Sequence, residues 1–201
     1  MRKLKLEVQL SVDGFMADKN GSMSWMIWPY TPTEWYWDKA LQQYHIDLQI
    51  SSDCILLSRN MAGGFHDFWE GVAQDATDPR YAFAKPITDM HKIVFSRELK
   101  KSVWKNTEIA KGDYVKFITQ LKKEEGRDII CYGGATFISS LIEAELIDEF
   151  HLIINPAIIG DGLPIFQTIT RQQNLRLKKA TDFECGVAVL QYELNRNKSK
   201  S

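Results

Sequence analysis

The sequence has few cysteines, no long apolar run and no excess of charge of one sign. Its three cysteines, Cys54, Cys131 and Cys185, lie far apart and show no Cys/His spacing, so we expect free thiols, a reducing compartment and no metal site. No segment approaches the roughly 20 apolar residues of a membrane span. A net charge of −1 gives no electrostatic basis for binding nucleic acid or an anionic membrane. We therefore expect a cytoplasmic protein that binds neither.

The composition is that of an ordinary globular protein. With 201 residues, of which 44% are hydrophobic, the chain can bury a core without disulfides. Short apolar runs bounded by polar residues predict buried strands at 53–57, 91–95 and 128–132. Because no linker or repeat interrupts the pattern, we predict one domain over residues 1–194, followed by a flexible polar tail over residues 195–201.

The order of these elements predicts an α/β fold. About eight strands, with helices between the first six, indicate a mixed, mostly parallel sheet with helices on both faces. Two alternating runs, 175–183 and 187–194, predict a closing β-hairpin. The opening strand mixes polar and apolar residues, so we expect only one covered face. A helix is predicted from an N-cap at Thr33 to Gln49, and the stretch 59–90, which holds several glycines and Pro79, is predicted to be irregular.

The strongest indication of a ligand is a buried strand that leads through Gly133-Gly134 directly into a helix. Glycines let a ligand approach the backbone, and the free N–H groups at the start of a helix bind anions, so a diphosphate would fit here. The full G-x-G-x-x-G pattern is absent. A tight turn that needs glycine only for its backbone angles therefore remains an alternative.

Two Ser-Arg pairs, Ser58-Arg59 and Ser96-Arg97, follow predicted strands. Ligands of open α/β sheets gather at the carboxyl ends of strands, and an arginine there binds phosphate through two N–H groups. The alternative for each is a surface arginine paired with an acid. If both pairs converge with the Gly-Gly turn, a dinucleotide carrying an extra phosphate would fit all three.

The segment from Asp13 to Trp25 is a glycine-hinged loop with an aromatic end. It resembles a lid over a planar ligand, although a hairpin-like loop packed on the core fits equally well. The tryptophans at 25, 28, 35 and 37 could line a pocket, belong to the core or form a dimer patch.

Taken together, six ordered motifs resemble the dihydrofolate-reductase-like superfamily, and in particular the branch of the reductase domain of bacterial riboflavin biosynthesis. The resemblance extends from about residue 4 to residue 194. The motifs are Val12–Ala17, Asn20–Trp25, Ile55–Arg59, Lys92–Ser96, Asp128–Ala135 and Leu146–Phe166.

This resemblance implies a three-layer dihydrofolate-reductase-like fold, NADPH as the hydride donor and a homodimer. It places the NADPH diphosphate on the Gly-Gly turn, the 2′-phosphate at the two Ser-Arg pairs, and the nicotinamide beside the loop after the first strand. The residues implied in cofactor binding are Ala17, Gly21, Trp25, Ser58, Arg59, Ser96, Arg97, Gly133, Gly134, Ala135 and Thr136.

Two departures from the family pattern bear on chemistry. Ser58 replaces the usual glycine before the arginine, and Asn60-Met61 follow it, so weaker 2′-phosphate binding is expected. Tyr30 stands where true dihydrofolate reductases carry their acid, so folate is not the expected substrate. The candidate catalytic residues are Asp38, one of the nearest carboxylates together with Glu34, and Asp13 as a group that orients the substrate.

The predicted reaction is therefore NADPH-dependent reduction of a small heterocycle, such as 5-amino-6-(5-phosphoribosylamino)uracil. Lys39, Lys85 and Lys178 are the cations considered for its ribose phosphate. The alternative is a non-catalytic nucleotide- or flavin-binding protein of the same fold.

Overall fold

The computed structural model describes residues 1–27 and 37–196. Within these ranges the chain forms ten strands and five helices. In chain order they are β1 (Leu4–Leu10), β2 (Phe15–Asp18), α1 (Lys39–Ile50), β3 (Ser52–Ser58), α2 (Arg59–Ala73), α3 (Tyr81–Asp89), β4 (His91–Phe95), β5 (Thr107–Ala110), α4 (Tyr114–Leu121), β6 (Asp128–Cys131), α5 (Ala135–Glu143), β7 (Glu149–Ile154), β8 (Gly162–Pro164), β9 (Leu175–Asp182) and β10 (Ala188–Leu194).

Eight strands form one sheet in the order β5-β4-β3-β6-β1-β7-β10-β9, and β2 pairs with β8 in a separate ribbon. The first six strands of this order run parallel to their neighbours. β10 is antiparallel to both β7 and β9, which gives the closing hairpin. The predicted mixed, mostly parallel sheet is thus confirmed.

Hydrophobic residues cover both faces of the sheet. Leu56 of β3 packs with Ile138 of α5 and Ile118 of α4 in one cluster. The adjacent Leu57 points to the opposite face, since side chains alternate along a strand, and packs with residues of α1, α2 and α3 in the second cluster. The sheet therefore lies between two helical layers, and the predicted three-layer architecture is confirmed.

The prediction that β1 has one covered face was wrong. β1 is central, and all of its residues are buried except the half-buried Gln9. Lys5, Glu7 and Gln9 lie on one face, and each has a polar partner: Lys5 pairs with Asp128 at 2.9 Å, for example. The polar residues are compatible with a central strand because they are paired rather than solvated.

The prediction of irregular structure between 59 and 90 was also wrong, because α2 and α3 occupy most of it. The glycines of α2 lower its intrinsic helix propensity, but the helix buries Phe65, Trp69 and Val72 against the sheet, and tertiary packing outweighs propensity. Helix α1 begins after Asp38, whose carboxylate accepts a hydrogen bond from Leu41 N at 2.8 Å. The N-cap predicted at Thr33 lies outside the described residues.

The path of the chain creates a crevice at the carboxyl ends of β3 and β6. These two strands are adjacent and parallel. The helix after β3, α2, packs on one face of the sheet, and the helix after β6, α5, packs on the other. Such a switch point is where ligands of open α/β sheets bind.

The start of the predicted tail is attached to the domain. Asn195 N donates to Asn174 O at 2.9 Å, and the Arg196 guanidinium bonds to Asp148 at 2.7 Å. Residues 197–201 lie outside the described part. In the ranges that the structure covers, no helix has the length and apolar character needed to cross a bilayer.

Candidate functional site

Two helix N-termini meet at the crevice. Ser58 is the N-cap of α2 and Gly134 is the N-cap of α5, and no side chain within the described ranges caps either helix start. The first N–H groups of a helix have no partner within the helix and attract anions. Ala135 and the exposed Thr136 form the first turn of α5. The Ser58 hydroxyl oxygen is buried and has no hydrogen-bond partner among the described residues.

The two glycines are also required by packing. Gly134 has φ +86°, and a Cβ atom there would lie 2.8 Å from Ser58 Cβ. A Cβ atom on Gly133 would lie 2.6 Å from Met61 Sδ. Both glycines therefore press against the start of α2, and this packing explains the glycines without a ligand. The case for an anion site rests on the open N–H groups and the Ser58 hydroxyl.

The structure brings the two Ser-Arg pairs to the same edge of the sheet, because β3 and β4 are parallel neighbours. The Arg59 guanidinium pairs with Glu98 at 2.7 Å, and both side chains are exposed. Ser96 Oγ accepts hydrogen bonds from the backbone N–H groups of Glu98 and Leu99, and Arg97 is exposed. An exposed ion pair is worth only about 0–1 kcal/mol, so a phosphate could replace Glu98 as the partner of Arg59.

Part of the predicted lid is a paired strand. Ala17 is buried in β2, which pairs with β8. Gly21 lies at an exposed turn closed by the Asp18 carboxylate, which accepts from Ser22 N at 2.9 Å. Trp25 is half-buried, with an indole N–H that has no hydrogen-bond partner in the described part of the chain.

A cavity of about 370 Å³ opens beside the crevice. It lies between β1 and the three helices α1, α2 and α3, and its walls are mainly apolar. Met16 and Met61 line the cavity, and both would contact a Cβ atom on Gly133. The cavity and the Gly-Gly turn are therefore contiguous.

The cavity has one polar wall, which the sequence reasoning did not identify. It consists of Glu7 and Gln9 from β1, His45 and Gln49 from α1, and Tyr132. Glu7 Oε1 contacts His45 Nδ1, and 8% of the Glu7 side chain and 1% of the His45 side chain are exposed. The signal available in the sequence was the alternation of polar residues along a strand that the topology makes central.

Trp37 holds the His45 ring in place. The two rings stack with centroids 4.0 Å apart and an interplanar angle of 10°. Burial, and secondarily the negative charge of Glu7, raise the pKa of Tyr132 well above its usual value, so its hydroxyl stays protonated. The polar wall thus combines one carboxylate, one imidazole and neutral hydrogen-bonding groups.

The two predicted catalytic carboxylates do not line this cavity. Asp13 accepts a hydrogen bond from Gly160 N at 2.7 Å and so holds the loop that contains Gly160. A hydrogen bond from Ser11 lowers the pKa of Asp13. Asp38 caps α1 and also accepts from Cys185 N at 3.2 Å. These contacts give both residues structural roles, and their catalytic roles stay predictions. Tyr30 and Glu34 lie outside the described residues.

The lysines considered for a ribose phosphate also lie away from the cavity. Lys39 is exposed, Lys85 pairs with Asp89, and Lys178 lies 3.5 Å from Glu193. Among residues 1–27 and 37–196, no three His, Cys, Asp or Glu side chains form a group that could hold a metal.

Comparisons with known proteins agree with this geometry. The family model of the RibD C-terminal domain matches residues 2–189. The uncharacterized protein YyaP of Bacillus subtilis strain 168 is 29% identical over 196 residues, which is 96% of each chain.

Two solved structures share the fold. A protein of Shewanella sp. PV-4 described as a riboflavin biosynthesis protein has a TM-score of 0.69 and 19% identity, and the match covers 98% of this chain and 100% of that one. The Thermotoga maritima diaminohydroxyphosphoribosylaminopyrimidine deaminase/5-amino-6-(5-phosphoribosylamino)uracil reductase has a TM-score of 0.64 and 14% identity. That match covers 96% of this chain and 57% of the Thermotoga chain.

Proposed function

Because this chain belongs to the RibD C-terminal domain family, we propose that it is a nicotinamide-dependent oxidoreductase that uses NADPH to reduce a small nitrogen heterocycle. The family match over residues 2–189 confirms the resemblance carried by the six motifs. The observation that carries the proposal is the meeting of two uncapped helix N-termini, at Ser58 and Gly134, beside a cavity with a titratable wall.

The residues at the crevice suit a dinucleotide. The N–H groups at the starts of α2 and α5 would hold the diphosphate, together with the Ser58 hydroxyl, which has no partner in the part of the chain that the structure describes. Arg59, Ser96 and Arg97 would bind the 2′-phosphate, with Arg59 exchanging its exposed partner Glu98 for the ligand. When bound, the nicotinamide supplies a hydride. The proposed place of the nicotinamide ring is beside Ala17, next to the cavity-lining Met16.

Reduction of a C=N bond by hydride addition to its carbon also requires a proton on the nitrogen. Among the described residues that line the cavity, Glu7 and His45 are the acid–base candidates, since the Tyr132 hydroxyl has a strongly raised pKa. Glu7 holds the Nδ1 side of the His45 ring, and Nε2 has no hydrogen-bond partner among the described residues. In the proposed mechanism His45 Nε2 holds the proton and delivers it to the nitrogen of the reduced C=N bond, and Glu7 orients the imidazole.

The test is NADPH oxidation followed at 340 nm. The substrates are 5-amino-6-(5-phosphoribosylamino)uracil, which the name of the similar Thermotoga protein gives as a substrate, and dihydrofolate as a control. We expect the uracil to be reduced and dihydrofolate to be inert. NADPH binding without turnover of any heterocycle would favour the alternative, a nucleotide-binding protein without catalysis.

A His45→Gln variant separates the proton-donating role from binding. It keeps a polar side chain but no imidazole, and we expect a fall in kcat of about 100-fold, within the range found when a general acid is removed. NADPH affinity should stay unchanged. The homodimer is a proposal that rests on the family resemblance, and the cytoplasmic location is a proposal that rests on the sequence composition and the family.

A further inference from the structure

Gln9 presents a side-chain amide to the cavity, and only one end of that amide has a partner. The side chain is half-buried on β1 and belongs to the polar wall. Gln9 Oε1 accepts a hydrogen bond from Asn155 Nδ2 at 2.8 Å, whereas Gln9 Nε2 has no hydrogen-bond partner among residues 1–27 and 37–196. The Nε2 atom keeps accessible surface, so a ligand in the cavity can reach it. The wall therefore offers an N–H donor at this position.

A backbone group sets the orientation of the Gln9 amide. The backbone nitrogen of Ile27 can only donate, and it bonds to Asn155 Oδ1 at 3.1 Å. The opposite end of the Asn155 amide is then the donor Nδ2, which also lies 3.4 Å from the carbonyl oxygen of Ile153. Because a donor requires an acceptor, Gln9 turns Oε1 toward Asn155 and Nε2 away from it. These contacts are satisfied together in one orientation of the two amides.

Asn155 is held firmly enough to act as the reference for this orientation. It is completely buried. Its backbone N–H donates to Leu10 O at 2.8 Å, and its carbonyl oxygen accepts from Ala157 N at 2.8 Å. If the Gln9 amide turned around, two N–H donors would face each other in a buried site, and each unsatisfied group costs about 1–3 kcal/mol. The donor end of Gln9 is therefore fixed before any ligand arrives.

The position of Gln9 relates its amide to the proposed proton source. Gln9 and Glu7 lie two residues apart on the same face of β1, so their Cα atoms are separated by roughly 6–7 Å. A single substituted ring spans such a distance, with one edge at the Glu7–His45 pair and another at Gln9. The proposed place of the nicotinamide is instead beside Ala17. The partner of the Gln9 amide is thus expected on the substrate.

Resting on the proposed reductase function, we infer that Gln9 is a specificity-determining residue whose amide N–H donates to a carbonyl oxygen of the substrate. Asn155 is the positioning residue that keeps the donor end of this amide in the cavity. A fixed donor favours a carbonyl oxygen over an amino group at the same place in the ligand, because two donors that meet stay unpaired. The bond from Ile27 N to Asn155 links this selectivity to the end of the loop after β2.

The experiment compares two rings that differ in the groups they offer. One is 5,6-diaminouracil, which has two carbonyl oxygens, and the other is 2,4,5,6-tetraaminopyrimidine, which has an amino group in place of each. Both are titrated calorimetrically into the full chain without nucleotide. We expect the uracil to bind at least about tenfold more tightly, the ratio that about 1.4 kcal/mol produces. Equal binding, tighter binding of the tetraamino ring, or no binding of either ring would overturn the inference.

Gln9→Glu replaces the donor and keeps the contact with Asn155. The substituted carboxyl group retains an acceptor for Asn155 Nδ2 and offers a second oxygen where the NH₂ group was, so we expect the tetraamino ring to become the tighter ligand. The matched control is Gln191→Glu, at a half-buried glutamine of β10 that donates to Glu149 and does not line the cavity. A preference for the uracil that persists in Gln9→Glu, or that Gln191→Glu also reverses, contradicts the role of Gln9.

Asn155→Leu tests the positioning role without altering a residue of the cavity lining. Without Asn155 Nδ2 the Gln9 amide can turn either end toward the ligand, so we expect the preference to shrink to within about twofold. A purely structural role would weaken both rings equally and leave their ratio unchanged, and that result contradicts positioning. Gln9→Met gives an independent test should Asn155→Leu fail to fold. It removes the donor and keeps the size, and it should weaken the uracil about tenfold and the tetraamino ring little.

NADPH titrations of the same preparations separate the two hypotheses. Gln9→Glu should leave the affinity for NADPH within about twofold, because the amide is assigned to the substrate. A loss of affinity confined to NADPH would place the amide at the nicotinamide carboxamide and overturn the assignment. Absent NADPH binding in the unaltered chain contradicts the reductase proposal, whereas the ring preference is measured without nucleotide and contradicts only the inference about Gln9.

Discussion

The carboxylate of Glu7 contacts the imidazole Nδ1 of His45 between the central strand and the first helix, with 8% and 1% of the two side chains exposed. A carboxylate in such a site is stable only when it is paired, because burial removes its hydration. The same contact leaves the second oxygen of Glu7 and the second nitrogen of His45 in the wall of the cavity. One pair thus connects the stability of the fold with the chemistry of the site.

We predict strong energetic coupling between Glu7 and His45. Replacing either residue alone by leucine should lower the free energy of unfolding by about 3–5 kcal/mol, because its partner is left buried and unpaired. The double variant should lose less than the sum of the two. Urea unfolding of the four proteins measures this coupling. The exposed pair Lys85–Asp89 is the control, with a coupling expected below about 1 kcal/mol. Additive losses at Glu7 and His45 would contradict the pairing.

Arg59 should determine the preference for NADPH over NADH. Arg59→Gln removes a charge-assisted contact with the 2′-phosphate, so we expect NADPH to bind about tenfold more weakly, while NADH affinity stays constant. Fluorescence titration of both nucleotides measures the two affinities. Arg171→Gln is the matched control, since it breaks another exposed ion pair, with Glu145, near the other end of α5. Equal losses for NADPH and NADH would place Arg59 away from the 2′-phosphate.

Gly134→Ala should destabilise the protein more than Gly21→Ala. Both glycines have positive φ, +86° and +82°, so both substitutions strain the backbone by about 1 kcal/mol. At Gly134 the added Cβ also meets Ser58, whereas at Gly21 no atom of the described residues lies within 4 Å. Thermal unfolding should show the difference, and Ser58→Gly should relieve part of it. Equal effects of the two substitutions would mean that Gly134 does not press against Ser58 as described. A Gly134 variant is for this reason a poor probe of diphosphate binding.

Glu149 should make the protein sensitive to acid. The hydrogen bond from His151 lowers the pKa of Glu149 from 4.5 to about 2 in the folded state. A lowered folded pKa contributes stability that is present above pH 4.5 and is lost as the pH falls toward 2; the loss should be on the order of 2 kcal/mol. Urea unfolding at pH 7 and pH 3 measures it. Glu149→Gln should remove this part of the acid loss, and Glu98→Gln, at a 70% exposed side chain, should not.

The sequence predicted the parts of the site that depend on local patterns. The Gly133-Gly134 turn and the Ser-Arg pair at Ser58 each follow a short apolar strand, and parallel strands bring their carboxyl ends together. These positions were therefore available from motif order alone. The polar wall of the cavity could not be predicted from motif order, because Glu7 and His45 lie on different elements. Their contact depends on how α1 packs across β1.

The helix α2 was missed for a related reason. Its glycines at 63, 64 and 71 weaken the local signal, and the packing of Phe65 and Trp69 that compensates is a tertiary effect. In the same way, the polar residues of β1 indicated a solvated face until the topology made the strand central. Alternating polar residues on a central strand line a buried polar wall rather than a solvated face. That wall could be predicted only once the strand order was known.

The measurement that tests the account most directly is the calorimetric titration of NADPH into the full chain, with Thr136→Asp as the comparison. Thr136 is exposed in the first turn of α5, where a carboxylate suits the helix start, so the fold should keep its stability, but the added charge repels a diphosphate. We predict saturable binding of one NADPH per chain with a micromolar Kd, and a loss of at least about tenfold, equivalent to 1.4 kcal/mol, in the variant. No NADPH binding at millimolar concentration, or unchanged binding in Thr136→Asp, would contradict a dinucleotide site at this crevice.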